Sequence, residues 1–291
     1  MQDHIKMKKF GLIGYPISHS LSPALFKAGY DGRYPYELIE TPDFEEAYQR
    51  FLNEYDGINV TAPFKEAAYA KADIVSEECR LIEASNLLVK TPDGIAAYNS
   101  DYRGLLHWLK SLAIPSEQPF SPAARGAACL CTPHCHQTST IKVLIVGLGG
   151  AGKAAAAAAW KAGLDVTLMN RNISKAEVMA ARLGKRVTAS PLTDICNCFN
   201  EADIVIYNLP VRLPALEELQ NIPNKKTNRK FLLEANYKNP SFDEELLNTL
   251  RHNGMDIEYH GGRTWLLLQA LTGYELFTGE KPDLSKMTEQ I

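Results

Sequence analysis

No run of this chain is apolar for long enough to cross a membrane, which takes about 20 consecutive apolar residues. Its first residues, Met1-Gln-Asp-His-Ile-Lys-Met7, contain no apolar core of the secretory type. Excess charge of one sign is also missing: 31 Lys+Arg stand against 34 Asp+Glu, a net charge of -3. Nothing in that balance favours nucleic acid or an anionic surface as a partner. Cysteine is sparse, 6 in 291 residues, which argues against a disulfide framework. No internal repeat is visible. The remaining expectation is an ordinary globular protein of the cytosol, with a small molecule as partner, no membrane or nucleic acid contact, and a monomeric or homodimeric state. Met7 directly precedes the first plausible strand, so residues 1–6 read as a dispensable extension.

What is present is an α/β alternation long enough for about two domains. The first hundred residues suggest strands at Phe10–Ile13, Tyr36–Ile39, Gly57–Val60, Asn86–Val89 and Ile95–Tyr98. Helices are expected over Pro23–Gly29, Asp43–Glu54 and Pro63–Ala70. An amphipathic helix, Tyr102–Ala113, leads out. Strands at Val143–Val146, Asp165–Met169, Ile204–Asn208 and Phe231–Leu233 then alternate with helices, the pattern of a doubly wound parallel sheet. A last helix is expected over Trp265–Phe277, followed by a polar tail. The expected division is 1–103 plus 264–291 for one domain and 104–263 for the other, with 115–140 inserted as a surface loop.

That loop holds Cys129, Cys131, His134, Cys135 and His136. A structural zinc site usually pairs two ligand clusters a dozen or more residues apart. The other cysteines are only Cys79 and the Cys196, Cys198 pair, so no metal is expected.

The densest signal is Ile141-Lys-Val-Leu-Ile-Val-Gly-Leu-Gly-Gly-Ala-Gly152, a strand running into a glycine-rich turn and then an alanine helix, Ala154–Ala159. Gly147, Gly149 and Gly152 fit the dinucleotide fingerprint. The first glycine makes the turn, the second admits the pyrophosphate and the third permits close packing, with Gly150 and Ala151 completing the cradle. The helix N-terminus offers unpaired N–H groups and a positive dipole end to phosphate. At the end of the next strand, where Asp or Glu would hold the ribose 2′-OH of NAD, the chain has Asn170 and Arg171, suited to a 2′-phosphate. NADP(H) is therefore the expected cofactor, with Lys175 a further phosphate candidate. The ordinary alternative for Arg171 is a solvated surface arginine.

A hydride-transfer cofactor needs a partner group that handles the proton at the substrate oxygen. Three segments of the first hundred residues carry more small polar groups than folding requires: Gly14–Pro23, Gly57–Lys65 and Asn99–Gly104. Pro63 suits a first helical position, which places Lys65 in the first turn, where a cation opposes the helix dipole. That local mismatch marks Lys65 as functional. Asp101 on its own reads as an N-cap, but with Lys65 it forms a candidate pair to move the proton of one substrate hydroxyl.

His19-Ser-Leu-Ser-Pro23, Asn59-Val-Thr-Ala-Pro-Phe-Lys65, Asn99-Ser-Asp101 and Gln269-Ala270 occur in the order of the motifs of shikimate dehydrogenases, which the chain resembles over nearly its whole length apart from the Cys/His loop. The resemblance implies reversible reduction of 3-dehydroshikimate to shikimate with NADPH, with Lys65 and Asp101 as the catalytic pair. By the same likeness Ser20, Ser22 and Tyr237 hold the substrate carboxylate, and Thr61, Asn86, Asn99 and Gln269 its hydroxyls, while Asn208 lies among the cofactor contacts. Individually Ser22 also reads as an N-cap, Asn86 as a turn residue and Gln269 as a helix-face glutamine.

The chain departs from the family at several points. Ser100 stands for a threonine and Leu87 follows Asn86 where threonine is usual. Asn208-Leu-Pro-Val-Arg-Leu213 lacks the alanine-threonine and closing glycine, and Gly262-Arg-Thr-Trp265 replaces a glycine-methionine pattern. These changes bear on cofactor affinity and rate more than on reaction type. The alternatives are a quinate/shikimate enzyme with broader substrate or NAD use, and a non-catalytic NADP sensor of the same fold.

Overall fold

The computed structural model describes residues 7–113, 140–221 and 229–291. The expectations for residues 1–6 and for the cysteines and histidines of the inserted loop lie outside them. The chain divides into two compact units, residues 1–104 with 267–291, and residues 105–266. Among the described residues no helix is long and apolar enough to cross a membrane.

The first unit is built on a mixed six-stranded sheet of order β2-β1-β3-β5-β6-β4. Its strands are β1 (Phe10–Gly14), β2 (Tyr36–Glu40), β3 (Gly57–Val60), β4 (Ile74–Val75), β5 (Leu87–Thr91) and β6 (Gly94–Tyr98). β1 runs parallel to β2 and β3, with Phe10 level with both Tyr36 and Gly57. β5 is antiparallel to β3, so the start of β5 lies beside the end of β3. Side chains alternate across a sheet, and the two faces are distinct. Ile13, Ile39, Ile58 and Val60 join a core with Tyr48 and Phe51 of α2 (Phe44–Glu54) and Ala68 of α3 (Lys65–Ala70). On the other face Phe10 and Tyr36 meet aromatic rings of α1 (Ser22–Gly29) and α10 (Gly262–Thr278). Phe10 stacks on Phe277 at 5.0 Å, and Phe26 lies 4.7 Å from Tyr36 and from Tyr274.

Several expected elements are extended or joined by unexpected ones. The short strand β4 and helix α4 (Glu77–Ile82) fill a stretch that carries too few residues for a clear period. Pro63 does not open α3: it lies in the preceding turn, Phe64 is the N-cap and Lys65 is the first helical residue. Helix α5 (Ser100–Ala113) starts two residues before Tyr102, and the tail forms α11 (Leu284–Thr288).

The second unit is an all-parallel sheet of order β12-β11-β10-β7-β8-β9. Its strands are β7 (Lys142–Val146), β8 (Asp165–Met169), β9 (Val187–Ser190), β10 (Ile204–Tyr207), β11 (Lys230–Glu234) and β12 (Ile257–His260). This is the doubly wound dinucleotide-binding order, with its switch point between β7 and β10. Ala154–Ala159 of α6 (Gly150–Lys161) are completely buried and the helix lies on β7, β8 and β10; α7 (Ile173–Leu183), α8 (Ile195–Glu201) and α9 (Glu244–His252) follow between the later strands. β9 and β12 carry mixed polar and apolar residues, and for that reason their periodicity is weak in sequence.

Within the first unit the start of α5 and the body of α10 approach to backbone contact. A Cβ on Gly104 of α5 would stand 2.7 Å from the backbone C and O of Leu268 in α10, and one on Gly273 would stand 3.1 Å from the Ser100 side chain. Glycine in a helix costs roughly 0.5–1 kcal/mol relative to alanine, yet overpacking costs roughly 1–3 kcal/mol. Gly104→Ala is therefore expected to destabilise the protein despite its better helix propensity. A lowered midpoint in urea denaturation at unchanged slope checks this, and a raised midpoint would refute the close contact.

Candidate functional site

In the first unit the polar segments converge where strands end. Tyr15 N–H bonds to Ala62 O and Thr61 N–H to Ile13 O, which ties the serine segment after β1 to the segment after β3. Gly14 has no room for a side chain, since a Cβ would fall 2.3 Å from Thr61 Cγ2.

Lys65 Nζ donates to Asp101 Oδ2 at 2.6 Å, with side-chain exposures of 15% and 3%. Desolvating two charges costs several kcal/mol per ion, so such a pair is weak evidence of stabilisation and better evidence of chemistry. Lys65 opposes the dipole of α3, while Asp101 lies in the first turn of α5, where the dipole favours a carboxylate.

Asn86, 2% exposed, organises the surroundings. Its Oδ1 accepts the Ser100 backbone N–H at 2.7 Å. A backbone N–H can only donate, so the amide nitrogen must face the other way. There it lies 3.1 Å from Asp101 Oδ2, 3.2 Å from Gln269 Oε1 and 3.0 Å from Ser100 Oγ. Asn86 is thus no turn residue, and Gln269 no idle helix-face glutamine.

The capping expectations change. Asp101 is not the N-cap of α5; Asn99 takes that part, its Oδ1 accepting Tyr102 N–H at 3.0 Å while its Nδ2 donates to Ala84 O at 3.2 Å. Asn99 is fully buried and engaged at both ends, which gives it a structural role in placing the start of α5. Ser22 is not an N-cap either: Leu21 occupies that position and Ser22 is the first residue of α1. The Ser20 hydroxyl instead donates to Ser22 Oγ at 3.2 Å and accepts the Ser22 N–H at 3.2 Å, so the two hydroxyls stand together.

Three further neighbours complete the network, none of them given a role by sequence. Tyr36 donates to Asn59 Oδ1 at 2.8 Å, Asn59 Nδ2 reaches Asn86 O at 3.4 Å, and Tyr274 donates to Ser22 O at 3.1 Å. Asn59 opens the Asn59–Lys65 motif, and a polar residue inside strand β3 is the signal that marks it. Tyr36 and Tyr274 carry no local mark, because their partners are 23 and 252 residues away.

In the second unit Gly147 has φ +92°, Gly149 is the N-cap of α6 with open space where its Cβ would be, and a Cβ on Gly152 would fall 1.9 Å from Gly147 O. Turn, open cradle and backbone contact are thus separate demands on three glycines. Asn170 Oδ1 accepts Leu148 N–H at 3.2 Å and its Nδ2 donates to Asn172 O at 3.0 Å, so its visible work is to brace the turn. Arg171 and Lys175 are exposed cations just beyond it. Asn208, after β10, holds a buried Oδ1 without a hydrogen-bond partner in the described residues. Such an acceptor beside an open glycine turn fits a ligand that brings a donor. The donor set as a whole suits a phosphate-bearing dinucleotide.

Tyr237 lies in the loop after β11, half-buried, and burial holds its phenol above the ordinary value, with Arg263 pulling the other way. That loop is shaped by Asn236, whose Oδ1 accepts the N–H groups of Lys238 and Asn239, and by buried Glu234, which accepts Ser241 N–H at 2.5 Å and Tyr259 OH at 3.0 Å. Among the described residues there is no cluster of three or more His, Cys, Asp or Glu able to hold a metal.

Residues 12–88 match the family model for the shikimate dehydrogenase substrate binding domain, and residues 130–234 that for shikimate / quinate 5-dehydrogenase. The chain is 30% identical to a shikimate dehydrogenase (NADP(+)) of Leptospira interrogans, covering 98% of this chain and 95% of the relative. It is likewise 30% identical to one from Thermus thermophilus, covering 97% of each. Among solved structures it is similar to the Mycobacterium tuberculosis shikimate dehydrogenase, with TM-score 0.74, 27% identity and coverage of 97% and 98%. It is also similar to a Thermus thermophilus shikimate 5-dehydrogenase in complex with NADP(H) and shikimate, with TM-score 0.73, 26% identity and 98% of both chains covered.

Replacing a side-chain N-cap with alanine costs about 1 kcal/mol, and a buried carbonyl left unpaired costs about 1–3 kcal/mol more. Asn99→Ala is expected to lose the sum of both, on the order of 2–4 kcal/mol. Chemical denaturation measures it, and a loss below that of an ordinary surface substitution would remove Asn99 from its capping role.

Proposed function

The chain belongs to the shikimate dehydrogenase family, and from that premise we propose that it carries out the NADP-dependent, reversible reduction of 3-dehydroshikimate to shikimate, a step toward chorismate and the aromatic amino acids. The observation that carries the reading is the ion pair of Lys65 and Asp101, poorly exposed and surrounded by neutral hydrogen-bonding groups.

The reacting hydroxyl of shikimate passes its proton to the Lys65/Asp101 pair on oxidation and regains it on reduction. Asn86 fixes the carboxylate of Asp101, and Asp101 in turn holds the Lys65 ammonium. Ser20 and Ser22 take the substrate carboxylate, and the family likeness gives Tyr237 as a further candidate for it. Thr61, Asn86 and Gln269 orient its hydroxyls. Neutral donors of this kind suit a polyhydroxylated acid and need no arginine clamp.

Bound NADP supplies the nicotinamide that accepts or returns the hydride. Gly147, Gly149, Gly150, Ala151 and Gly152 form its phosphate cradle, Arg171 and Lys175 meet the 2′-phosphate, and Asn208 offers its unpartnered oxygen. The reading extends to a cytosolic location, with the protein a monomer or homodimer.

Initial rates with shikimate or quinate, each paired with NADP or NAD, test the function. Turnover is expected chiefly with shikimate and NADP. A preference for quinate or NAD would replace it with the broader enzyme, and NADPH binding without turnover would replace it with a sensor. Lys65→Ala is expected to lower kcat by at least ~100-fold, the usual worth of a positioned acid–base group, with NADPH dissociation unchanged. Equal losses in both would make Lys65 structural.

Arg171→Ala is expected to weaken NADPH binding ~10-fold or more, the size of one charge-assisted contact to phosphate, and to leave NADH use nearly unaltered. Binding titrations with both cofactors decide it, since an equal effect on the two would sink the 2′-phosphate role.

A further inference from the structure

Two tyrosine hydroxyls of the first unit lie in an otherwise aromatic layer. Tyr274 is 2% exposed, packed 4.7 Å from Phe26 and 6.4 Å from Phe277. Tyr36 lies 6.0 Å from Tyr274, ring to ring, and 4.7 Å from Phe26. Phenylalanine would fill either place at no desolvation cost, whereas a buried hydroxyl must find a partner. Burial pushes both phenols well above the ordinary tyrosine value, so both act as neutral donors.

Their partners are informative. Tyr274 donates to the carbonyl oxygen of Ser22 at 3.1 Å, which pins the residue whose hydroxyl stands beside that of Ser20. Tyr36 donates to Asn59 Oδ1 at 2.8 Å, and this leaves the Asn59 amide nitrogen facing Asn86 O at 3.4 Å. Asn86 holds Asp101 at 3.1 Å, and Asp101 holds Lys65 at 2.6 Å. The two hydroxyls also interact with each other and both reach the Ser22 side chain, so the serine end is shared, whereas Tyr36 alone stands at the head of the relay that ends at the ion pair.

We propose that Tyr274 and Tyr36 are positioning residues for the two ends of the substrate: Tyr274 sets the carboxylate-holding serines, and Tyr36 sets the proton-handling pair through Asn59 and Asn86. This rests on the reading above, in which Ser22 takes the carboxylate and Lys65 with Asp101 the proton. Each acts through the groups it holds. The consequence is that both side chains bear on substrate binding but only Tyr36 bears on turnover. Losing the hold on Ser22 weakens ground-state binding, whereas losing the hold on Asn59 disturbs the groups that matter at the reacting oxygen.

The test uses the full-length protein with Tyr274→Phe, Tyr36→Phe and, as a control, Tyr30→Phe. Tyr30 belongs to the same layer, 5.0 Å from Phe26, but donates to Glu280 O at 2.9 Å, on neither path. All three variants keep the ring and lose one buried hydroxyl. Steady-state rates for shikimate and for NADP are measured, together with thermal unfolding. Tyr274→Phe should raise the KM for shikimate ~3- to 10-fold, the net worth of one hydrogen bond, with kcat within about twofold of the parent. Tyr36→Phe should lower kcat ~3- to 10-fold and, through Ser22, also raise the KM for shikimate. In both, the KM for NADP should stay unchanged, and the control should alter neither constant.

Equal changes in the two test variants, or changes shared by Tyr30→Phe in step with a fall in unfolding temperature, would reduce the phenols to core packing and overturn the proposal. The parent protein reports separately on the reaction: if it failed to oxidise shikimate, the functional reading itself would fall, whatever the variants did.

Discussion

The orientation of one side-chain amide governs the site of the first unit. Asn86 has its oxygen claimed by the backbone N–H of Ser100, and that leaves its nitrogen for Asp101, Gln269 and the Ser100 hydroxyl. Reversing the amide would set two donors face to face at Ser100 and turn an oxygen toward a carboxylate. The carboxylate of Asp101 stays where it is because that reversal is costly at so buried a position. The ammonium of Lys65 follows the carboxylate. Ser100 can meet Asn86 only because α5 starts there, and α5 starts there because Asn99 caps it.

Both units place their polar groups where parallel strands end, and they reach that arrangement by different means. The second relies on backbone: a positive φ at Gly147, space at Gly149 and a contact at Gly152 too close for any side chain. The first relies on side chains whose partners are far away in sequence, joined by hydrogen bonds of 2.6–3.4 Å. A cradle of N–H groups suits phosphates, which vary little in shape. Discrimination among hydroxylated acids calls for individually aimed groups, which need the more elaborate support.

This contrast also governs what is legible in the residues taken in order. The glycine turn, the alanine helix and most strands can be read because each is decided by neighbours within a few residues. Lys65 and Asp101 stand out by local incongruity and by motif. Sequence places the cap of α5 two positions too late, since Asn and Asp cap equally well in isolation, whereas Asp101 is held by the ammonium of Lys65, 36 residues away, and by the amide of Asn86. Pro63 misleads in a similar way: it favours a first helical position, but the chain turns there before α3 begins. Tyr36 and Tyr274 give no signal, because a buried phenol and a buried phenylalanine look alike until the partner of the hydroxyl is known. The two-residue β4 and the mixed β12 lack the length or the alternation that makes a strand visible.

The first unit is assembled from two separated stretches of chain, residues up to 104 and from 267 onward, with the second unit continuous between them. Translation runs from the N-terminus, so every residue of the nucleotide-binding unit leaves the ribosome before Gln269 does. The glycine cradle can therefore be complete while Asn86 still lacks one of its partners and the aromatic layer still lacks Phe277 and Tyr274. During synthesis, the residues that cradle a dinucleotide are thus all available before those that complete the acid's site, which waits for α10 to emerge.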